Sequence, residues 1–546
     1  MARKTPKTKY QINMKPILFI LLIILLNCCS SNTTIPKNAQ SVSQDIAIYP
    51  DFKDVTVPQN IAPLNFHVDT PCDEVIIEVQ SNNGEKIIEE SHDRTVRFDP
   101  KEWSKILRSS SAGEITFTPY LKHKKKWAKY NSFTINVIDA PIDSFVTYRL
   151  IEPSFMSTGQ IGLYQFNLFS GEESTIIRRC KNPTSESLHD QSCVNCHAAQ
   201  KKNPQNKMFY YRGKEGGLIL TYNGQIKKID TKVEGMLAPS TYPAWHPTLP
   251  LIAFSTNLVY QDFPTTRKGK TEFYDINAFL ILYDILSNET YILPNEKKQL
   301  CTNPSWSPDG EYLYYAVSDS SINQQKPIEA EYPKLKYNIA RIKFDPTTKS
   351  FSEPDVLLNV NAGGYSATFP RISPDNRFLL VNISHFGASP HTHIESDLFA
   401  LDIHNKKLFP CTNANSLEAE SYHDFSSKAN WFVFYSRRED GNYGRAYISY
   451  IDSTGTCTKP FQLPHKEPLT DRERLKLYNV IEFSNSSVSF SEGDFYNVIW
   501  NQKTIQAKAD SRNQQTDGNS GATPHKKESQ TDATTGASRL QIPINH

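Results

Sequence analysis

The chain has 546 residues, 60 lysines and arginines against 58 aspartates and glutamates, and a formal net charge of +2. So balanced a charge gives no strong field and argues against nucleic acid or acidic substrates as partners. The length allows two to four domains, and 27 tyrosines with 29 phenylalanines suit a strand-rich protein.

Residues 1–15 carry Arg3, Lys4, Lys7, Lys9 and Lys15 and no acid, and an apolar run from Ile17 to Leu26 follows. That run is too short to cross a bilayer core of about 30 Å, which takes about 20 helical residues. The pattern predicts an export signal over residues 1–27. It ends in Leu25-Leu26-Asn27-Cys28-Cys29-Ser30, which resembles the lipobox of bacterial lipoproteins. Cys28 is the expected lipidation site, although Cys29 also has a leucine three positions before it. A lipid there would replace the removed helix as anchor. The Ser- and Thr-rich stretch 28–45 is then a flexible tether. No acidic run follows the cysteine, which favours a periplasm-facing position at the cell envelope, on the outer membrane.

Residues 46–146 read as a β-sandwich. Short alternating strands recur at Val75 to Val79, Thr95 to Phe98, Ile115 to Tyr120 and Phe133 to Ile138. The basic run Lys122 to Lys126, beside Trp127, is expected to tip a hairpin as a solvated loop. Pro141-Ile142-Asp143 marks the boundary.

Residues 147–500 carry a repeat. Similar turns occur at Pro243-Ala244-Trp245-His246-Pro247, Pro304-Ser305-Trp306-Ser307-Pro308-Asp309-Gly310, Pro370-Arg371-Ile372-Ser373-Pro374-Asp375-Asn376 and Tyr422-His423-Asp424-Phe425-Ser426-Ser427. An apolar strand follows each turn. Pro and Asp-Gly set the tight turn, and the strand is apolar because neighbouring units cover both its faces. This is the signature of a β-propeller with long loops. Met208 to Ile229 reads as a degenerate blade, Tyr148 to Leu168 as strands of another, and Tyr478 to Phe483 as the closure of the ring. Six blades are counted, with seven as the open alternative. The fold class expected is therefore all-β. From about 503 to 546 the sequence turns polar and lacks aromatics, and is expected to be a disordered tail.

Within this array lies Cys193-Val194-Asn195-Cys196-His197, the attachment pattern of c-type haem. Two thiols at this spacing meet two porphyrin vinyl groups, and the histidine follows as axial iron ligand. A structural disulfide and a redox dithiol remain as alternatives. The surrounding segment, 172–207, reads as a short haem-binding insertion, too short and polar to cover a macrocycle, so the haem is expected to lie against the propeller. Met208 is the nearest candidate for a distal ligand, with Met156, Met236, His189, His246 and His423 as further possibilities and core packing as the plain alternative for Met208. Six other cysteines remain, Cys29, Cys72, Cys180, Cys301, Cys411 and Cys457, and their spacing says nothing of pairing.

A second polar set, Glu420, His423, Arg437, Arg438 and Asp440, could form a ligand or partner rim in which the arginines clamp a carboxylate or phosphate. Its plain reading is a hairpin with locally paired charges. No Gly-x-Ser-x-Gly elbow and no phosphate-cradling glycine loop occur, so an enzyme is not expected.

The Ser-Pro-Asp-Gly turns resemble those of TolB-type propellers. Residues 58–484 also resemble a group of lipoproteins from Bacteroides-like bacteria labelled TolB-like or cytochrome c family proteins. The likeness is carried by Ile61 to Phe66, Tyr148 to Pro153, Cys193 to His197, Tyr242 to Pro247, Glu420 to His423 and Ser436 to Gly441. It implies the same domain order and little about activity. One departure is Ser389-Pro390-His391-Thr392-His393, which stands where the group has an aromatic-rich stretch. Two functions follow as expectations. The first is a lipid-anchored monohaem c-type cytochrome, serving electron transfer or haem-based sensing with a redox or envelope protein partner. The second is a non-enzymatic scaffold binding envelope proteins, with a structural Cys-x-x-Cys-His.

Overall fold

The computed structural model describes residues 34–515 apart from 111–112, 153–160, 180–191, 263–271, 295–298, 320–321 and 324. The expected signal, the lipidation site at Cys28, His189, Met156 and the tail beyond 515 lie outside the described residues. No described helix is long and apolar enough to cross a membrane.

The N-terminal domain is a seven-stranded sheet packed with a three-stranded one. Glu74–Ser81 pairs with Lys86–Ser91 on one side and Gly113–His123 on the other. The turn between Gly113–His123 and Lys126–Lys129 holds Lys124 and Lys125, so the basic run does tip a hairpin. One element was not expected, the helix Pro100–Ser109. Asp99 caps it by accepting from the amides of Lys101 and Glu102, Pro100 opens it, and Trp103, Ile106 and Leu107 bury one face. Trp103 stacks on Phe98 at 5.2 Å and donates its indole N–H to the Ile61 carbonyl.

Six sheets of four or five strands follow among the described residues. The first is ordered Glu172–Arg178, Gly162–Asn167, Phe145–Ile151, Leu477–Ser484. Here the strand near the C-terminus pairs with the first strand after the sandwich, from Phe145↔Ser484 to Ile151↔Leu477. The second sheet starts at Cys193–Gln200, the third at Ser240–Trp245, the fourth at Leu300–Trp306, the fifth at Ser366–Ile372 and the sixth at Glu420–Phe425. These leading strands lie side by side in that order, and Leu477–Ser484 sits between the sixth and the second, which closes the ring. The fold is a β-propeller in which the closing strand fastens the first sheet.

The repeat turns show why the motif recurs. In the fourth sheet Asp309 accepts from the Ser307 hydroxyl and the Glu311 amide, while Ser307 Oγ accepts from the Tyr312 amide. Ser373, Asp375, Arg377 and Phe378 repeat this in the fifth. Each aspartate also reaches the next turn: Asn376 donates to Asp309 at 2.7 Å and Asn430 to Asp375 at 2.9 Å. The motif therefore ties neighbouring sheets as well as forming a bend. Gly310 has φ 79°, and a Cβ there would lie 2.6 Å from the His246 ring of the preceding sheet.

Two boundaries need correction. Residues 172–207 are not an inserted segment: Glu172–Arg178 is the outer strand of the first sheet and Cys193–Gln200 the inner strand of the second. Order also extends past 503. The helix Glu492–Asn501, with a Ser491/Asp494 capping box, leads to Ile505–Gln506 and Lys508–Ala509, which add edge strands to the second and third sheets. Arg512 then lies over the Tyr291 ring at 3.7 Å. Polar composition hid these edge strands because they face solvent and are held by backbone bonds.

The sandwich docks on the first and sixth sheets through one continuous apolar core that includes Val57, Phe66, Val146, Trp431 and Phe483. Trp431 donates to the Ala140 carbonyl at 2.9 Å, and Asp143 accepts from Ser426 and Ser427. Cys411 and Cys457, both buried, form a disulfide that sequence spacing did not suggest.

Candidate functional site

Every strand lining the central channel breaks at the same place. Cys196, Tyr242, Asn303, Phe369, Tyr422 and Val480 all have positive φ, between 20° and 53°, and the strand register slips at each. A non-glycine residue there costs about 1–2 kcal/mol, so six in register are a built feature. Each is a β-bulge, which re-aims side chains. The rings of Tyr242 and Phe369 meet at 5.7 Å although the fourth sheet lies between theirs. Only side chains projecting across the channel can do so. Phe369 meets Tyr422 at 5.3 Å, Tyr422 meets His391 at 4.9 Å and His391 meets Phe273 at 5.5 Å. An aromatic cluster thus fills the channel.

The Cys-x-x-Cys-His run occupies one of these six positions. Cys193 and Cys196 are half-buried, and neither is in a disulfide. The bulge reverses the alternation of the strand. Val194 pairs with Tyr211 and His197 with Phe209, so these share a face, while Cys193 pairs with Arg212 on the other. Arg149 braces the segment by donating to the Val194 carbonyl, the Asn195 Oδ1 and the Asn479 Oδ1. Burial pulls its guanidinium below the ordinary value, and the nearby Cys196 and Cys193 oppose this.

His197 is buried at 3% exposure. Its Nδ1 lies 3.0 Å from Glu482 Oε1 and its Nε2 2.8 Å from the Val480 carbonyl. Burial pulls the imidazole towards its neutral form and Glu482 opposes it. Lys207 Nζ reaches the same Glu482 oxygen at 2.5 Å, and Lys202 Nζ reaches Asp424 at 2.5 Å. Burial alone would raise the Glu482 pKa, but Lys207 and His197 hold it well below the carboxylate range. This charged cluster pins the closing strand to the second and sixth sheets.

The two thiols are in no disulfide and lie on one strand. His197 does not fit as the iron ligand of a porphyrin held there, because both ring nitrogens are occupied and the ring lies on the face opposite Cys193. Nor does Met208, which is fully buried in the core with Ala198, Tyr210 and Trp245. Met236 Sδ takes the Val233 amide. His246 accepts from the amides of Thr248 and Leu249.

The expected rim does not assemble as one site. Glu420 is buried and accepts from Ser416, Ser436 and Arg438. Burial raises its pKa despite Arg438. His423 is buried with Nε2 at the Leu380 carbonyl, and Asp440 caps a turn by accepting from the amides of Asn442 and Tyr443. Arg437 alone turns to the channel, where its Nε donates to Tyr435. Arg149, Tyr242, Phe369, Tyr422 and His391 were missed. The residue just before each repeat proline carried the signal, since Cys196-His197 stands in register with Tyr242-Pro243, Asn303-Pro304 and Phe369-Pro370.

Asp275, 3% exposed, accepts from Asn257 Nδ2 at 3.2 Å. Burial pushes its pKa up to about 6. The folded state then holds its proton longer than the unfolded one, so stability falls as pH rises from about 4 to about 6 and stays lower above. Asp275→Asn is expected to remove that fall and to stabilise the protein by about 3 kcal/mol at pH 7. Urea midpoints at pH 4 and pH 7 check this; a difference that does not change with pH contradicts it.

No protein-family profile matches the chain, and no curated protein does. Among solved structures it is similar to TolB from Acinetobacter baumannii, at 12% identity over 81% of this chain and 98% of that one, with a TM-score of 0.39. It is similar to a DUF4784 family protein from Bacteroides caccae at 10% identity, over 67% and 95% of the two chains, with a TM-score of 0.26. The β-propeller domain of Cps50 (Swd1) from Myceliophteria thermophila matches at 12% identity, over 51% and 88%, with a TM-score of 0.23. The closed ring of sheets carries the conclusion that the chain has a β-propeller fold.

Proposed function

We propose that Cys193 and Cys196 carry one covalent c-type haem lying against the propeller, and that the protein, anchored to the outer membrane through Cys28, passes electrons or a haem-state signal to an envelope protein partner. The supporting observation is the pair of unpaired, half-buried thiols on a channel strand beside an aromatic cluster. Each Sγ–H adds across a vinyl C=C; the S–C bond forms on one carbon, the hydrogen goes to the other, and no net oxidation occurs. Arg149 and Arg437 have no carboxylate within ion-pair distance among the described residues, which suits a group bearing two carboxylates. The Cys411–Cys457 disulfide suits an exported protein.

The test is expression in a host that exports the chain and matures c-type haem. The wild type should keep its haem in acid acetone, and the Cys193→Ser, Cys196→Ser double variant should carry no porphyrin mass on the tryptic peptide around residue 196. A colourless, folded wild type would overturn the haem reading. It would leave the second reading, a non-enzymatic protein-binding scaffold, which the locked position of His197 favours.

A further inference from the structure

The stretch Ser389-Pro390-His391-Thr392-His393 lies in the loop between the second and third strands of the fifth sheet. His385 opens that loop straight after Phe378–Ser384, and Glu395 closes it just before Asp397–Asp402. The two strands pair antiparallel as far as Ile383↔Asp397, so the same register sets His385 opposite Glu395. The His385 amide accordingly donates to Glu395 Oε1 at 3.5 Å, and His385 Nδ1 lies 3.4 Å from the same oxygen.

The short 3-10 turn Pro390–Thr392 brings a second imidazole to that oxygen. The His393 amide donates to the Pro390 carbonyl at 2.9 Å, and the His393 ring packs on Phe386 at 4.5 Å. Its Nε2 lies 3.2 Å from both carboxylate oxygens of Glu272, which comes from the long strand Glu272–Asp284 of the third sheet. Its Nδ1 is 3.9 Å from Glu395 Oε1 and is buried without a hydrogen-bond partner, on a side chain only 5% exposed. Such a nitrogen calls for an explanation.

A carboxylate that takes one imidazole N–H fixes the tautomer and leaves the other nitrogen's lone pair for a metal. Glu272 does this for His393, whose Nδ1 then carries the lone pair. Neighbouring ligands of a tetrahedral zinc ion stand about 3.3 Å apart, given bonds of about 2.0–2.1 Å. The spacings to Glu395 Oε1 are 3.4 and 3.9 Å, and the His385 side chain, 62% exposed, has room to turn its nitrogen towards that of His393. His391 faces elsewhere, with Nδ1 3.1 Å from the Tyr422 hydroxyl. Glu74, Glu90 and His92 of the sandwich also lie close together, but none is a buried donor without a partner, and Lys122 already pairs with Glu74.

We infer that His385, His393 and Glu395 form a binding site for a divalent transition-metal ion of the zinc type, with Glu272 as a positioning residue. Two imidazoles and a carboxylate suit such an ion, and three protein ligands leave a fourth position to water. The ion would also fasten the long hairpin of the third sheet to the fifth-sheet loop, across the fourth sheet.

The test is titration of the chelator-stripped full-length chain with cobalt(II) chloride and then zinc chloride, repeated in the Cys193→Ser, Cys196→Ser variant. One cobalt per chain should bind in both, with the strong visible bands of a tetrahedral site and no thiolate charge-transfer band, and zinc should displace it. Glu272→Gln should shift those bands and weaken binding by about 10–100-fold. His385→Ala and Glu395→Gln should weaken it at least as much, whereas His92→Ala should bind as the wild type does. Zinc should raise the unfolding temperature of the wild type and not that of His385→Ala, whose exposed position leaves the metal-free fold unchanged. No binding at millimolar ion overturns the assignment, as does binding that His385→Ala and Glu395→Gln leave intact or that the serine variant abolishes.

Discussion

Glu482→Ala is expected to destabilise the protein by about 3–5 kcal/mol, the usual cost of removing one partner from a buried ion pair. Glu482 Oε1 serves Lys207, itself 3% exposed, and His197, also 3% exposed. Without the carboxylate, a buried ammonium is left with no counter-charge and His197 Nδ1 loses its partner. The residue lies on Leu477–Ser484, whose pairing with Phe145–Ile151 completes the ring, so the loss falls on closure. The pH dependence has a definite sign. A carboxylate whose folded pKa is depressed adds stability above its unfolded value, about 4.3, and that contribution is lost as pH falls below it. The variant should therefore differ most from the wild type near neutral pH and converge with it in acid. Urea unfolding followed by circular dichroism at pH 7 and pH 3 measures both. A loss under 1 kcal/mol at pH 7 would show that the cluster is not what holds the closing strand.

Gly444→Ala should be at least as disruptive. A Cβ at this position would lie 1.6 Å from Tyr435 Cε2 and 2.0 Å from its Cζ. Tyr435 is 1% exposed and cannot move aside: its ring packs against Tyr422 at 6.0 Å, and its hydroxyl accepts from Arg437 Nε at 2.6 Å. Overpacking of a fixed core commonly costs 1–3 kcal/mol. With a contact this short the expected loss is about 3 kcal/mol or more, accompanied by release of Arg437 from its tyrosine. Thermal unfolding of the variant and of Gly444→Ser, which presents the same Cβ, measures the clash twice. Wild-type stability in both would contradict the packing described.

Much of the propeller was readable in advance because its turns encode their own hydrogen bonds. Ser307, Asp309 and Gly310 are needed within a few residues of one another, so the pattern survives as a string. The closing strand was legible for the same reason, as an apolar run after the last repeat. The helix Pro100–Ser109 was missed although its signals were present. Asp99-Pro100 marks its start, and Trp103, Ile106 and Leu107 follow helical spacing; the surrounding strand alternation masked them. The channel was illegible for a different reason. Cys196, His391 and Tyr422 come from three sheets, and the ring brings them together. The Cys411–Cys457 pairing was likewise a matter of space and not of spacing. Local pattern also misled: Cys193 to His197 reads as one chemical unit, yet a single bulge turns the histidine away from Cys193.

The fastening of the ring by Leu477–Ser484 has a temporal consequence. The chain delivers the thiol-bearing strand long before the segment that seals it, so during synthesis Cys193 and Cys196 pass through an interval in which the channel is open along one side. Afterwards neighbouring strands flank them, and the order of synthesis becomes the order of assembly.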